Sequence, residues 1–201
     1  LVDQLIAGFR HLLDQSDLRL LLALTALNGL LGRTIIELLP ALSGQVLQGG
    51  SAELAVLVAM AGLGSVLGGL LVSRQAADLA RLMMLVCAAI MLAGLALISL
   101  QWFAGLVGLA LWVSILSVVT TVAGTGSQTL IQLTASAEYR GRVMSVWTML
   151  AMGAPALGAA LLGAGVDGFG FSRVAVWTGG VGVVLVISLY ARRSRVTAGS
   201  D

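Results

Sequence analysis

The chain is poor in almost everything a water-soluble catalyst uses. Its one cysteine, Cys87, sits inside an apolar run, so a disulfide or a cysteine-built metal site within one chain is excluded. Its one histidine, His11, lies outside every long apolar run. That excludes a histidine cluster for zinc or haem and a serine–histidine pair within a membrane. Only 10% of the 201 residues are charged, against about 25% in an average soluble domain. Too little charge remains to cover a water-facing surface. The expectation is a protein that is not an enzyme, with no catalytic residue, cofactor or metal ligand. A net charge of +2 is too small a footprint for nucleic acid. Lysine is missing altogether, so all eleven basic side chains are arginine. Two prolines against 26 glycines suit membrane helices that pack closely.

What remains is apolar: 59% hydrophobic residues and a mean hydropathy of +1.04. A bilayer core of ~30 Å takes ~20 residues of helix per crossing. Runs of that length fall at 18–39, 53–73, 82–100, 104–133, 143–166 and 174–191. None alternates as a barrel strand would, and a lone segment in lipid must satisfy its own backbone. The expected fold is all-α, an integral membrane six-helix bundle over 18–191. Arg10, Arg19, Arg74, Arg81, Arg140, Arg142, Arg192, Arg193 and Arg195 fall on one side of it, and only Arg33 and Arg173 on the other. This bias places both termini in the cytoplasm, as an even number of crossings requires.

Residues 1–17 repeat Leu1, Leu5, Phe9, Leu12 and Leu13 at helical spacing between polar residues. They read as an amphipathic cytoplasmic linker on the membrane surface, with a frayed end as the alternative. Residues 192–201 read as a disordered cytoplasmic tail. The start at Leu1, without methionine, reads as a piece of a longer protein.

A shift of 90 residues lays the first three spans on the last three. Gly64-Ser-Val-Leu-Gly68 then falls on Ala154-Pro-Ala-Leu-Gly158, both small-xxx-small elements. Three crossings is an odd number, so the second triplet enters the membrane from the opposite side. The expectation is a 3+3 inverted repeat.

Polarity is unevenly spread among the spans. In the fourth, Ser114, Ser117, Thr121, Thr125, Gln128 and Gln132 recur at intervals of three and four, one stripe at 100° per residue. The stripe reads either as interhelical hydrogen bonding or as the lining of a water-accessible cavity. Thr25 and Asn28, with Gly29 and Gly32, repeat the theme in the first span. Arg33 and Glu37, one turn apart near its outer end, read either as a mutual i,i+4 pair or as gating groups. Pro40 is expected to end that helix. The third and sixth spans carry almost no polar group and suit lipid-facing positions. In the fifth, Gly153, Gly158 and Pro155 allow close packing and bending, and Trp147 reads as a packing or interfacial residue, with a ligand platform as the alternative. Gly64, Gly68, Gly153 and Gly158 are expected at close helix contacts.

Five stretches together form a pattern: Gly8-Phe9-Arg10 with Asp17-Leu18-Arg19; Arg33-Thr-Ile-Ile-Glu37-Leu-Leu-Pro40; Gly62-Leu-Gly64-Ser-Val-Leu-Gly68-Gly69; Glu138-Tyr-Arg140-Gly141-Arg142-Val-Met-Ser145; and Gly153-Ala-Pro155-Ala-Leu-Gly158. In these the chain resembles the C-terminal half of a major facilitator superfamily transporter, of the bacterial drug- and siderophore-exporter branch. The resemblance covers essentially the whole chain. It implies secondary active transport in the bacterial inner membrane, with proton-coupled export of a small amphipathic molecule. The six spans would be the seventh to twelfth of a twelve-helix protein whose N-terminal half is missing here. It also implies a cavity lined by the first and fourth spans, peripheral third and sixth spans, and a cytoplasmic loop motif of Arg74, Glu138, Arg140, Gly141 and Arg142. One departure stands out: the family's loop acid is Ser73 here. Uptake by a carrier of the same superfamily, and a six-helix scaffold without transport, are the alternatives. Glu37 is the only acid placed well inside a span, so the coupling acid is either Glu37 or a group in the missing half.

Overall fold

The computed structural model describes residues 16–198, and among them it is helical with no strand. The linker helix expected over 1–17 lies almost wholly outside the described residues. Six helices are long and apolar enough to cross a membrane: Asp17–Glu37, Ser51–Gln75, Leu79–Trp102, Gly105–Thr134, Arg140–Val166 and Phe171–Leu189. These are the six expected runs, and the chain is a six-helix membrane bundle. The last helix continues to Ala198, so the expected disordered tail is helical over most of its length.

The spans run up and down. Asp17, Leu79, Ala80 and Thr134 share one end, and Gln45, Val46, Gly170 and Arg173 share the other. Of the seven arginines whose side chains are described, Arg19, Arg74, Arg81, Arg140 and Arg142 lie at the first end; Arg33 and Arg173 lie at the second. Asp78 starts the third span there, accepting the Arg81 N–H at 3.0 Å and pairing with its guanidinium. Phe169 and Trp177 form a tilted ring pair, centroids 5.3 Å apart, at the second end, where Trp102 is also exposed. Aromatics in this position suit the membrane–water boundary. Gly170 alone separates the fifth and sixth helices, and its φ of 82° is a conformation that side chains disfavour.

The second span lies along the fourth, the first against the fifth, and the third between the fourth and sixth. Glycines make these approaches possible. A Cβ on Gly64 would run into the Ser114 carbonyl and come 2.9 Å from Ser117 Cβ. On Gly68 it would lie 2.7 Å from the Val118 carbonyl, and on Gly158 it would strike the Thr34 hydroxyl. Three of the four expected contact glycines are therefore contacts. Gly153 is not, since nothing lies within 4 Å of its missing Cβ.

The third span corrects its expected lipid-facing position. In its most apolar stretch 56% of residues are buried, against 28% in the second and sixth spans and 22% in the fifth. Gly94 meets Gly179 and Val183 of the sixth span, and Gly126 of the fourth receives Val86. Between Leu82 and Leu100, only Met84, Met91, Leu92 and Leu95 face outward among its larger side chains. An apolar helix is as comfortable among leucines as among lipid tails, so lack of polarity does not distinguish the two settings.

The first crossing ends just before Pro40, as expected, and Pro40 also opens a second helix. The first crossing breaks at Leu38, and Pro40 stands in the opening turn of a new short helix, Leu39–Val46. There its missing N–H would have had no helical partner anyway. Within the first crossing, Gly29–Arg33 forms a π-turn, closed by the Thr34 N–H on the Gly29 carbonyl. The Thr34 hydroxyl donates to the same carbonyl at 2.8 Å and approaches the Pro155 carbonyl at 3.3 Å. The π-turn is thus seated on the proline of the fifth span. Thr34→Val keeps the shape but removes both bonds, and should lower the unfolding free energy by about 1 kcal/mol. Equilibrium unfolding in mixed micelles checks this.

Candidate functional site

A polar cleft of about 180 Å³ lies between the first, fourth and fifth spans. The first contributes Thr25, Asn28, Gly29 and Arg33; the fourth contributes Thr120, Thr121, Gly124, Thr125 and Gln128; the fifth adds Trp147 and Ala151. Thr25 and Asn28 are only 3% and 6% exposed, whereas Thr125 and Arg33 are exposed at the rim.

The fourth-span stripe therefore divides. Thr121, Thr125 and Gln128 line the cleft with Thr25 and Asn28. Ser114 and Ser117 do not, because the second span covers them. The Ser117 hydroxyl donates to the Ala61 carbonyl at 2.6 Å and lies 2.9 Å from the Ser65 hydroxyl. Gly64 packs on both serines. For Ser117 the hydrogen-bonding reading describes the contact, while Ser114 is half-buried with its carbonyl against Gly64 and lies outside the cleft. Gln132 is exposed near the end of the helix.

Hydrogen bonds hold the buried members in place. Thr25 donates to the Leu21 carbonyl at 2.8 Å, and Thr120 donates to the Leu116 carbonyl at 2.9 Å. Asn28 Nδ2 donates to the Thr120 carbonyl at 3.2 Å and so ties the first span to the fourth. That bond fixes the amide, since the opposite orientation would set two acceptors face to face. Asn28 Oδ1 is left buried without a partner, and so is Trp147 Nε1. Among the described residues no group of acids, histidines and cysteines could hold a metal ion.

The π-turn explains how Arg33 comes to this face. Five residues after Asn28, it would lie about 140° away on a regular α-helix. A turn closed over five residues holds one more than an α-turn and rotates the rest of the helix back by roughly 100°. Arg33 then shares the face of Thr25 and Asn28. Its Nε stands 4.0 Å from Glu37 Oε1, with the side chains 65% and 44% exposed. The pair is too long for a direct charge-assisted hydrogen bond and sits in a solvated position.

Trp147 is, with Thr120, Gly124 and Ala151, a lining residue that spacing alone missed. It sits four residues before Ala151, itself four before Pro155, on one face of the fifth span. A proline in that register marks a face where the helix backbone is interrupted, which is the one available signal. The loop motif lies apart from the cleft. Arg140 reaches the Ala135 carbonyl at the end of the fourth span, Arg142 stands 5.5 Å over the Tyr139 ring, and Arg74, Glu138 and Gly141 are exposed. Comparison with protein-family models finds no match, and comparison with curated proteins finds none.

Proposed function

We propose that this chain is the C-terminal half of a secondary active transporter of the major facilitator type, exporting a small amphipathic molecule in exchange for protons. The observation that carries the reading is the polar cleft between three apolar spans, whose lining is neutral apart from Arg33 at the rim. Hydroxyls and amides there bind a substrate without the cost of an unpaired buried charge, and so let it leave again. At about 180 Å³ the cleft takes a head group, less than the usual few hundred Å³ of a whole-ligand pocket. A facing half would complete it.

Two further features support this. The pairing of the first span with the fifth, the second with the fourth, and the third with the sixth is what a 3+3 inverted repeat would require. The second and fifth spans also turn broad apolar faces outward, including Leu63, Leu67 and Leu70 with Met149, Met152 and Leu157. In the proposed assembly those faces meet the missing half. The Arg33–Glu37 pair at the rim would re-form between open states, with Glu37 or an acid of the missing half carrying the proton. In this reading the membrane is a bacterial inner membrane and the end holding Arg74, Arg81, Arg140 and Arg142 faces the cytoplasm, an orientation that the arginine bias supports.

A cysteine panel in the full protein, with Cys87 replaced, tests the reading. Thr121→Cys, Thr125→Cys and Gln128→Cys should react with a small polar thiol reagent and be slowed by substrate, while Ser114→Cys and Ser117→Cys stay protected. Ser136→Cys should resist an impermeant reagent in intact cells. Uniform protection at the first three sites would make the cleft a dry contact and defeat the transport reading. Labelling at Ser136→Cys from outside would invert the orientation.

A further inference from the structure

We infer that the cleft is a subsite for an uncharged carboxamide-like head group, held between Asn28 and Trp147. This rests on the cleft being open to ligand, as the transport reading requires.

Two buried side-chain atoms of its lining lack a partner, and one backbone carbonyl lacks its helical donor. Asn28 Oδ1 is an acceptor, because its Nδ2 is engaged on the Thr120 carbonyl. Trp147 Nε1 is a donor and can be nothing else. The third is a backbone carbonyl. Pro155 stands inside the fifth helix with no N–H to offer Ala151, four residues earlier, and Ala151 lines the same cleft. Two acceptors and one donor are the complement of a primary carboxamide, which brings two N–H donors and one carbonyl.

Charge argues the same way. No carboxylate lines the cleft to neutralise a buried ammonium. The only charge present, Arg33, is largely exposed at the rim beside Glu37, where it does little to balance an anion held at Asn28. A charged head group would be desolvated without compensation, and an apolar one would leave all three groups unmet.

The test uses the full protein in lipid nanodiscs with nitrogen-15 in the indole rings. Each of the four tryptophans of this chain gives an indole signal, and Trp147→Phe identifies the one of interest. Trp112, whose Nε1 already donates to the Ala96 carbonyl at 2.7 Å, is the internal control. Butanamide, butyrate and butylammonium are titrated in turn. Butanamide should shift the Trp147 signal saturably, at least about ten-fold more tightly than either charged analogue, and leave Trp112 unmoved. Asn28→Leu should weaken that binding by about ten-fold. Should that variant not fold, Trp147→Phe carries the same expectation, read by saturation transfer to butanamide's own protons.

Equal affinity for a charged analogue would overturn the proposal. So would unchanged affinity in the variant, or no saturable shift with any of the three, the result if water alone fills the site. Binding is read without flux, so the two readings fail separately. Intact butanamide binding in a protein that moves no substrate counts against transport; flux without binding counts against the carboxamide subsite.

Discussion

Replacing Gly64 with leucine should cost the bundle on the order of 3 kcal/mol, the upper range for overpacking a close contact. The missing Cβ points at the Ser114 backbone carbonyl, with Ser117 Cβ 2.9 Å away, and neither can rotate aside. The fourth span would have to move outward, breaking the bond from Ser117 to the Ala61 carbonyl as it went. Leucine's better helix propensity returns only about 1 kcal/mol. Gly62, two residues earlier on the opposite face, has nothing within 4 Å of its missing Cβ. Gly62→Leu should leave the six-helix unit as stable as before or slightly more so. Unfolding of both variants in mixed micelles, followed by tryptophan fluorescence, gives the comparison. Equal midpoints would mean that the second and fourth spans are not in close contact at Gly64.

Gly62 and Gly64 also show what was legible in the sequence and what was not. The six crossings were legible because hydropathy and length are sums over ~20 residues and tolerate local error. The contact glycines were legible where a small-xxx-small element coincided with a second helix, as at Gly64, Gly68 and Gly158. Gly153 looks the same in sequence but has no neighbour. Spacing assigns a residue to a face without saying what covers that face.

The polar stripe divided for the same reason. Ser114, Ser117, Thr121, Thr125 and Gln128 share a phase, but the second span packs on Ser114 and Ser117 through Gly64 and reaches Thr121 through Gly68, while the cleft opens beside Thr121, Thr125 and Gln128. The first-span site was blurred by something that spacing cannot encode. Nothing in Gly29-Leu-Leu-Gly-Arg33 announces a π-turn, which takes its support from elsewhere. The Thr34 hydroxyl bridges the Gly29 and Pro155 carbonyls, and Gly29 sits where a Cβ would lie 2.9 Å from Ala154 Cβ. The turn and the proline break are partners in one contact. Together they bring Arg33 to the rim of the cleft and leave the Ala151 carbonyl without its helical donor.

On the transport reading proposed above, blocking the cleft from within should abolish flux without unfolding the protein, and Gly124→Leu is the substitution that separates the two effects. Gly124 lines the cleft, and the only atom near its missing Cβ is Asn28 Nδ2 at 3.4 Å, an ordinary contact distance. The first carbon is therefore accommodated. Leucine adds three more, and beside Thr121, Thr125 and Gln128 the space left for them is the cleft itself. Helix propensity favours leucine over glycine by somewhat less than 1 kcal/mol, so the unfolding midpoint should hold or rise. Substrate-driven flux in proteoliposomes should fall more than ten-fold, and Thr125→Cys should lose its reactivity when combined with it. Gly124→Ala stops at the first carbon and should keep most of the flux. Flux at the original rate in Gly124→Leu would place the substrate path elsewhere. A fall in stability matching that of Gly64→Leu would mean the space beside Asn28 is packed rather than open, which would remove the cavity on which transport depends.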